Sequence, residues 1–339
     1  MINAEHKFFL FGMGDREKFI YKCGQLIKYK GYEVVFNWSV KSEEFIYDRY
    51  TVVITTNGGE RITIKENESG VFVDDLCITA SKLNLPDFEE YKYAKELRIL
   101  HHEVLINVID GKPVPNYFVY DKPWYRDGAM MGMVLKHTNN LHTIKNWILS
   151  ITEIYDRNNA GGCEPDNLGE LLYILSLVSD KDNPLVKRII DEGKRIMVDG
   201  HLTGITDFND HHIYSTLWFK LGLNALGIDS DFVSVPQKFD SYSRMFWMDK
   251  SEVELKTPFK SEYDKDYPYL WWACIHFENE SFEDKLLSDT YPLSWERNAS
   301  QAKYDRIAPL SSIYAENKFS APHTWHASEM FLYLIEMRK

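Results

Sequence analysis

The sequence predicts a mainly α fold in which a ring of helical hairpins follows a small antiparallel β region. Strand-like alternation is confined to roughly the first 80 residues, and helical spacing of apolar residues dominates from residue 87 onward. Clusters of polar and aromatic residues also recur just ahead of the apolar helices. A boundary near Pro86 assigns residues 1–83 to the β region and residues 84–339 to the helical part.

The β region is predicted from β-branched and alternating segments. The strand candidates are residues 32–38, 50–55, 61–65 and 71–73. Asn57-Gly58-Gly59 lies between the second and third candidates, and Asn and Gly tolerate the positive φ of a hairpin turn. The sequence therefore predicts a small antiparallel sheet, without residues that indicate chemistry.

The helical part is predicted from apolar residues at a period of about 3.6. In the first helix Leu97, Leu100 and Val104 share one face, and Gly111 and Pro113 end it. The helix candidates are residues 87–109, 128–137, 141–155, 168–178, 184–198, 211–226, 269–277 and 325–337.

Composition excludes several classes of protein. The formal net charge of −12 argues against nucleic-acid and membrane-surface binding. Apolar runs are far shorter than the roughly 20 residues of a membrane span. The N-terminus lacks the pattern of a secretory signal, and the 4 cysteines are scattered, so we expect a cytoplasmic protein with reduced thiols. Nucleotide, serine-hydrolase and zincin motifs are absent from the sequence, and we expect no cofactor.

The polar-aromatic clusters recur along the helical part at uneven intervals. Five steps between residues 127 and 323 average about 39 residues, the length of a two-helix repeat. A ring of hairpins would bring the clusters together at one mouth. The clusters are residues 124–127, 164–167, 207–212, 266–269 and 323–326, and residues 295–297 fit less clearly.

Carboxylates in these clusters are candidates for acid/base catalysis. Glu164 and Asp166 follow Gly161-Gly162, which lets a loop approach a ligand closely. Glu296 adjoins Trp295, and an apolar neighbour raises the pKa of a carboxyl group and suits a general acid. Asp210 is a further candidate, although helix capping explains it equally well.

Other side chains in the clusters suit carbohydrate binding, since aromatic faces pack on sugars and charged groups bind hydroxyls. Adjacent His211 and His212 point apart on a helix, whereas metal-binding helices use i, i+4 spacing, so we predict no metal site. The binding candidates are Trp124, Arg126, Asp127, His211, His212, Tyr267, Trp295, His323, Trp325 and His326.

Residues 87–339 resemble the six-hairpin glycosidase superfamily of (α/α)6 toroids. The resemblance lies in Trp124-x-Arg126-Asp127, the acidic loop that follows, and the closing Pro322-His323-Thr-Trp325-His326-x-x-Glu329. The β region ahead of the helices is similar to that of glucoamylase-like members. The resemblance implies an (α/α)6 toroid with a funnel at one end, in which Arg126 and Asp127 contact the terminal sugar.

The resemblance also implies inverting hydrolysis by two carboxylates about 6.5–9.5 Å apart. We expect Glu164 and Glu296 to form that pair, with Asp166 and Asp210 in reserve, in a glycoside hydrolase that acts on oligosaccharides or polysaccharide fragments. A polysaccharide lyase or sugar epimerase on the same toroid is one alternative, because its chemistry depends on His and Tyr. A non-catalytic carbohydrate-binding protein is the other.

Overall fold

The computed structural model describes residues 7–236 and 291–336. The β region forms two antiparallel sheets in which consecutive strands are neighbours. The first sheet contains β1 (Phe9–Phe11), β2 (Phe19–Lys22), β3 (Gln25–Lys28) and β4 (Glu33–Asn37). The second contains β5 (Val40–Ile46), β6 (Thr51–Thr56), β7 (Arg61–Asn67), β8 (Gly70–Val73) and β9 (Leu76–Ala80). The hairpin predicted at Asn57-Gly58 is confirmed, since Thr55 pairs with Arg61 across it.

Eight α-helices occur in the described part of the chain. They are α1 (Ala94–Ile106), α2 (Tyr125–His137), α3 (Lys145–Ser150), α4 (Asp166–Ser176), α5 (Pro184–Ile196), α6 (His212–Ala225), α7 (Ser312–Glu316) and α8 (Thr324–Glu336). Asn183 caps α5, because its side chain accepts a hydrogen bond from the Leu185 amide and Pro184 begins the helix.

Short antiparallel ribbons connect several of these helices. The pairs are β10 (Val108–Ile109) with β11 (Lys112–Pro113), β12 (Met197–Val198) with β13 (His201–Leu202), β14 (Ile205–Thr206) with β15 (Asn209–Asp210), and β16 (Glu296–Arg297) with β17 (Phe319–Ser320). The last pair is formed by segments that lie more than twenty residues apart in the sequence.

The predicted fold class is wrong. Residues 7–236 and 291–336 form an α/β mixture, 35% helix and 23% strand, with six antiparallel sheets and eight helices, rather than a mainly α arrangement. Six hairpins would need twelve helices, and no toroid is present in the described residues. Helical spacing predicts single helices but not their packing, and strands of two residues are too short to leave an alternating pattern. The predicted helix 269–277 lies outside the described residues.

One apolar core joins the β region to the helices. Phe9 and Val52 from the two sheets belong to the same buried cluster as Leu100 of α1, Met130 of α2 and Phe331 of α8. No helix between residues 7 and 236 or between 291 and 336 is both long and apolar enough to cross a bilayer.

Helices α4 and α6 approach each other through glycine. A Cβ atom on Gly169 would lie 2.2 Å from the Phe219 amide nitrogen and 2.3 Å from the Trp218 carbonyl carbon. On the facing helix a Cβ on Gly222 would lie 2.6 Å from the Gly169 oxygen. The two backbones are therefore in direct contact, and any side chain at Gly169 would force them apart.

Gly169→Ala should lower the free energy of unfolding by about 3 kcal/mol or more, because backbone atoms cannot move aside as a flexible side chain can. Urea unfolding measures the change. Gly58→Ala is the matched control, since a Cβ there would lie 3.6 Å from its nearest neighbour. Equal stability of the two variants would contradict the close α4–α6 contact.

Candidate functional site

A pocket opens where the first turn of α2, the turn between β14 and β15, the ribbon strand β16 and the start of α8 meet. It holds about 320 Å³ of empty space, its open mouth included. The lining residues are Pro115, Tyr120, Trp124, Arg126, Asp127, Asp207, Glu296, Ser300, His323 and Trp325.

The first turn of α2 supplies three of the lining side chains. Trp124 occupies the N-cap position, and Arg126 and Asp127 follow within the first turn. Trp124 makes no side-chain capping bond, and the Asp127 carboxylate lines the pocket. The Trp-x-Arg-Asp sequence places an aromatic ring, a cation and a carboxylate around one helix end.

Arg126 connects α2 to α4. Its Nε and Nη2 atoms donate to Asp166 Oδ2 at 2.9 and 2.7 Å, and its Nη2 lies 3.4 Å from Glu164 Oε2. Its Nε also lies 4.0 Å from Glu170 Oε1. Asp166 and Glu170 are fully buried. Burial raises the pKa of Glu164 and of Glu170, and the guanidinium opposes that shift in both.

Glu164 and Asp166, two predicted catalytic residues, contact the Arg126 guanidinium and do not line the pocket. Glu164 Oε1 accepts hydrogen bonds from the Asp207 amide at 2.6 Å and from Asn159 Nδ2 at 3.2 Å. Asp166 accepts from Arg126 and from Thr206 Oγ1. Both carboxylates therefore support the loops around the pocket.

Other predicted residues are spread around the site. Asp210 is largely exposed on β15, and its Oδ1 lies 3.9 Å from His212 Nε2. His211 occupies the N-cap position of α6. Trp295 is buried in the core beside Phe319. Tyr267 lies outside the described residues.

Glu296 and His323 form the centre of the pocket. His323 Nε2 lies 3.0 Å from Glu296 Oε2, and the Glu296 side chain is 20% exposed. Burial raises the pKa of Glu296 to about 7, and Asp207 adds to that shift. Burial lowers the pKa of His323. At neutral pH the pair therefore holds a proton on or near the carboxyl group.

Asp127 is the second acid of the pocket. It is 3% exposed, and its Oδ1 has no hydrogen-bond partner among the described residues. Burial raises its pKa to about 6, while His323 and Arg126 oppose that shift. A buried carboxylate oxygen without a partner is costly in a folded protein, so it indicates a group that a ligand or a water completes.

Segment 293–296 is held by Glu103 of α1, which the sequence analysis missed. Glu103 is fully buried, and it accepts hydrogen bonds from the Leu293 amide at 2.6 Å and from the Ser294 amide at 2.9 Å. The Ser294 carbonyl in turn accepts from the His323 amide at 3.0 Å. Glu103 thereby fixes the backbone next to both Glu296 and His323. The sequence feature that could have revealed Glu103 is its position as a titratable residue among the apolar residues of a predicted helix.

One group of described side chains has the atoms of a metal site. The ligand atoms of Glu296, His323 and His326 all lie within 4.8 Å of one another. His326 Nδ1 donates to the Trp295 carbonyl at 2.9 Å, which fixes its tautomer. However, Glu296 and His323 already contact each other directly at 3.0 Å, so we interpret the group as a hydrogen-bonded acid/base cluster.

Comparison of the chain with protein-family models, curated proteins and solved structures gives no match. The assignment to the six-hairpin glycosidase superfamily is wrong, because neither a toroid nor a family match accompanies the motifs. Those motifs are short and describe the starts of two helices. The same helix starts border a pocket here in a different architecture.

Glu296→Gln should stabilise the protein more at pH 8 than at pH 5. The unfolded glutamate ionises near its ordinary pKa of 4.5 and the folded one near 7, so the native state loses stability as pH rises between these values. Glutamine removes that loss, which amounts to about 3 kcal/mol above pH 7. Urea unfolding at both pH values measures the difference.

The exposed Glu316 provides the matched control. Glu316→Gln makes the same substitution at an exposed position and shows what the exchange of Glu for Gln does by itself at the two pH values. A Glu296→Gln variant whose stability change is the same at the two pH values would contradict the raised pKa of Glu296.

Proposed function

We propose that this protein is a glycoside hydrolase that acts on oligosaccharides, with Glu296 as the proton donor and Asp127 as the base. The observation that carries the proposal is a pocket in which two carboxyl groups with raised pKa values, the buried Asp127 and the partly buried Glu296, share a lining with aromatic side chains. Glycoside hydrolysis needs this combination of an acid, a base and a surface for sugar rings.

Glu296 has the properties of the general acid. A donor to a glycosidic oxygen must hold its proton near the working pH, and a pKa of about 7 meets that requirement. After Glu296 has given its proton to the leaving group, His323 can relay a proton from solvent back to the carboxylate, because its Nε2 atom lies 3.0 Å from Glu296 Oε2.

Asp127 suits the second role better than Glu164 does. The base must present a carboxylate oxygen to a water molecule, and Asp127 Oδ1 has no other described partner. Glu164 is occupied by the Asp207 amide and Asn159 and does not line the pocket. Between pH 6 and pH 7 the proposed pair would hold Asp127 ionised and Glu296 protonated.

The aromatic lining supplies the recognition surface. Tyr120, Trp124 and Trp325 contribute to the same pocket as the two acids. Aromatic rings pack on the apolar C–H faces of sugars, while carboxylates accept hydrogen bonds from their hydroxyl groups.

A lyase or epimerase is the second candidate, and the close contact between His323 and Glu296 favours it. In that reaction the imidazole would remove a proton from a sugar carbon. Proton NMR of the protein with oligosaccharides, including uronic acids, separates the candidates. Hydrolysis gives a new anomeric signal whose initial configuration tests inversion, a lyase gives a vinylic signal, and an epimerase alters a sugar without cleavage.

If the NMR spectra show no change in any oligosaccharide, both catalytic candidates are overturned. Binding without turnover would favour a non-catalytic carbohydrate-binding protein. EDTA treatment runs beside each assay, and loss of activity that added zinc restores would indicate a metal at Glu296, His323 and His326 in place of the acid role.

We expect kcat/KM to follow a narrow bell-shaped pH profile. Activity should rise as Asp127 ionises near pH 6 and fall as Glu296 ionises near pH 7. Steady-state rates across pH 4–9 measure the profile. A flat profile over pH 5–8 would contradict the assignment of both acids.

Glu296→Gln and Asp127→Asn should each lower kcat at least about 100-fold. An aryl glycoside with a good leaving group should restore the rate of Glu296→Gln, because that bond breaks without protonation, but not the rate of Asp127→Asn. Glu316→Gln is again the control and should keep wild-type activity. Equal rescue of both variants would refute the division of roles.

A further inference from the structure

The hairpin of β14 and β15 carries an exposed aromatic residue that has no part in the proposed catalysis and directly follows a residue of the pocket lining. Thr206 pairs with Asn209, so Asp207 and Phe208 form a two-residue turn. Asp207 lines the pocket, and Phe208 is bonded directly to it. The Phe208 side chain is 63% exposed, which is unusual for a phenylalanine.

The turn is held by the buried carboxylates of Glu164 and Asp166. The Asp207 amide donates to Glu164 Oε1 at 2.6 Å, and Thr206 Oγ1 donates to Asp166 Oδ1 at 3.3 Å. At the base of the hairpin, a Cβ on Gly204 would lie 2.8 Å from Pro165 Cγ, so the two segments pack closely. Phe208 is therefore presented from a backbone with little freedom to move.

The backbone of Phe208 is unfavourable for its residue type. Its φ is +73°, and that of Asp207 is +47°, as in a type I′ turn. Asp and Gly are the preferred pair in such turns, and an aromatic residue at the second position is strained. The exposed ring buries little apolar surface, so it does not offset the free energy that the strained backbone costs the folded state.

We propose that Phe208 forms the binding surface for the sugar that follows the one held in the pocket, so that the preferred ligand is an oligosaccharide rather than a monosaccharide. An exposed aromatic ring on a fixed turn can pack on a sugar face with little loss of conformational entropy. The inference rests on the proposed function, since the pocket must hold the first sugar.

The test measures binding apart from turnover. Isothermal titration calorimetry uses the Glu296→Gln protein with glucan and uronic-acid oligomers from mono- to pentasaccharide. Adding Phe208→Gly should weaken oligosaccharide binding about tenfold and leave monosaccharide binding unchanged. Phe208→Tyr should retain the affinity, because it keeps the ring.

Stability distinguishes a binding residue from a structural one. Phe208→Gly relieves the positive φ and should raise Tm by about 2 °C or leave it unchanged. Tyr32→Gly is the matched control, since Tyr32 has φ +52° and is 45% exposed on the turn between β3 and β4. That variant should leave the binding of every oligomer unchanged.

Three outcomes would overturn the inference or its premise. Oligosaccharide binding that Phe208→Gly leaves unchanged refutes the role of Phe208 while the proposed function stands. Equal weakening for monosaccharide and oligosaccharide, or a lower Tm, assigns Phe208 a structural role. If no oligomer binds even with Phe208 present, the proposed function itself fails.

Discussion

The buried guanidinium of Arg126 is the contact on which the rest of the site depends. It bonds to Asp166 and lies near Glu164 and Glu170, so it joins the first turn of α2 to the first turns of α4. Through Glu164, which accepts from the Asp207 amide, it also reaches the β14–β15 turn. Burial raises the pKa values of Glu164 and Glu170, and one guanidinium shared among three carboxyl groups offsets only part of that rise.

Burial with little compensating positive charge also raises the pKa values of the two acids in the pocket. The shortest contacts of Arg126 go to Asp166, so Asp127 and Glu296 receive weak compensation for their burial and both keep raised pKa values. These groups lower the stability of the native state at neutral pH. Proteins retain such costly groups at sites where a ligand or a reaction uses them. The strained backbone of Phe208, next in sequence to a lining residue of the pocket, likewise lowers the stability of the native state.

Local features of the fold could be predicted, because they depend on neighbouring residues. The turn at Asn57-Gly58 and the start of α5 at Asn183-Pro184 each follow from the backbone preferences of two or three residues. The fold class could not, since helical spacing contains no information about which helices pack together. The ribbon of Glu296–Arg297 with Phe319–Ser320 pairs distant segments that are two residues long, and nothing in either segment predicts its partner.

The site was predicted in part for the same reason. Trp124, Arg126 and Asp127 share one helical turn, so their proximity follows from the sequence, whereas their meeting with Glu296 and His323 depends on packing. Helix α1 contributes to that packing through Glu103, which accepts hydrogen bonds from the backbone amides of residues 293 and 294. The Leu293 amide lies 190 residues from Glu103 in the sequence. A buried carboxylate needs donors, and here the backbone amides ahead of Glu296 provide them. Satisfying Glu103 therefore places Glu296, and the position of the pocket acid is a consequence of charge burial elsewhere in the core.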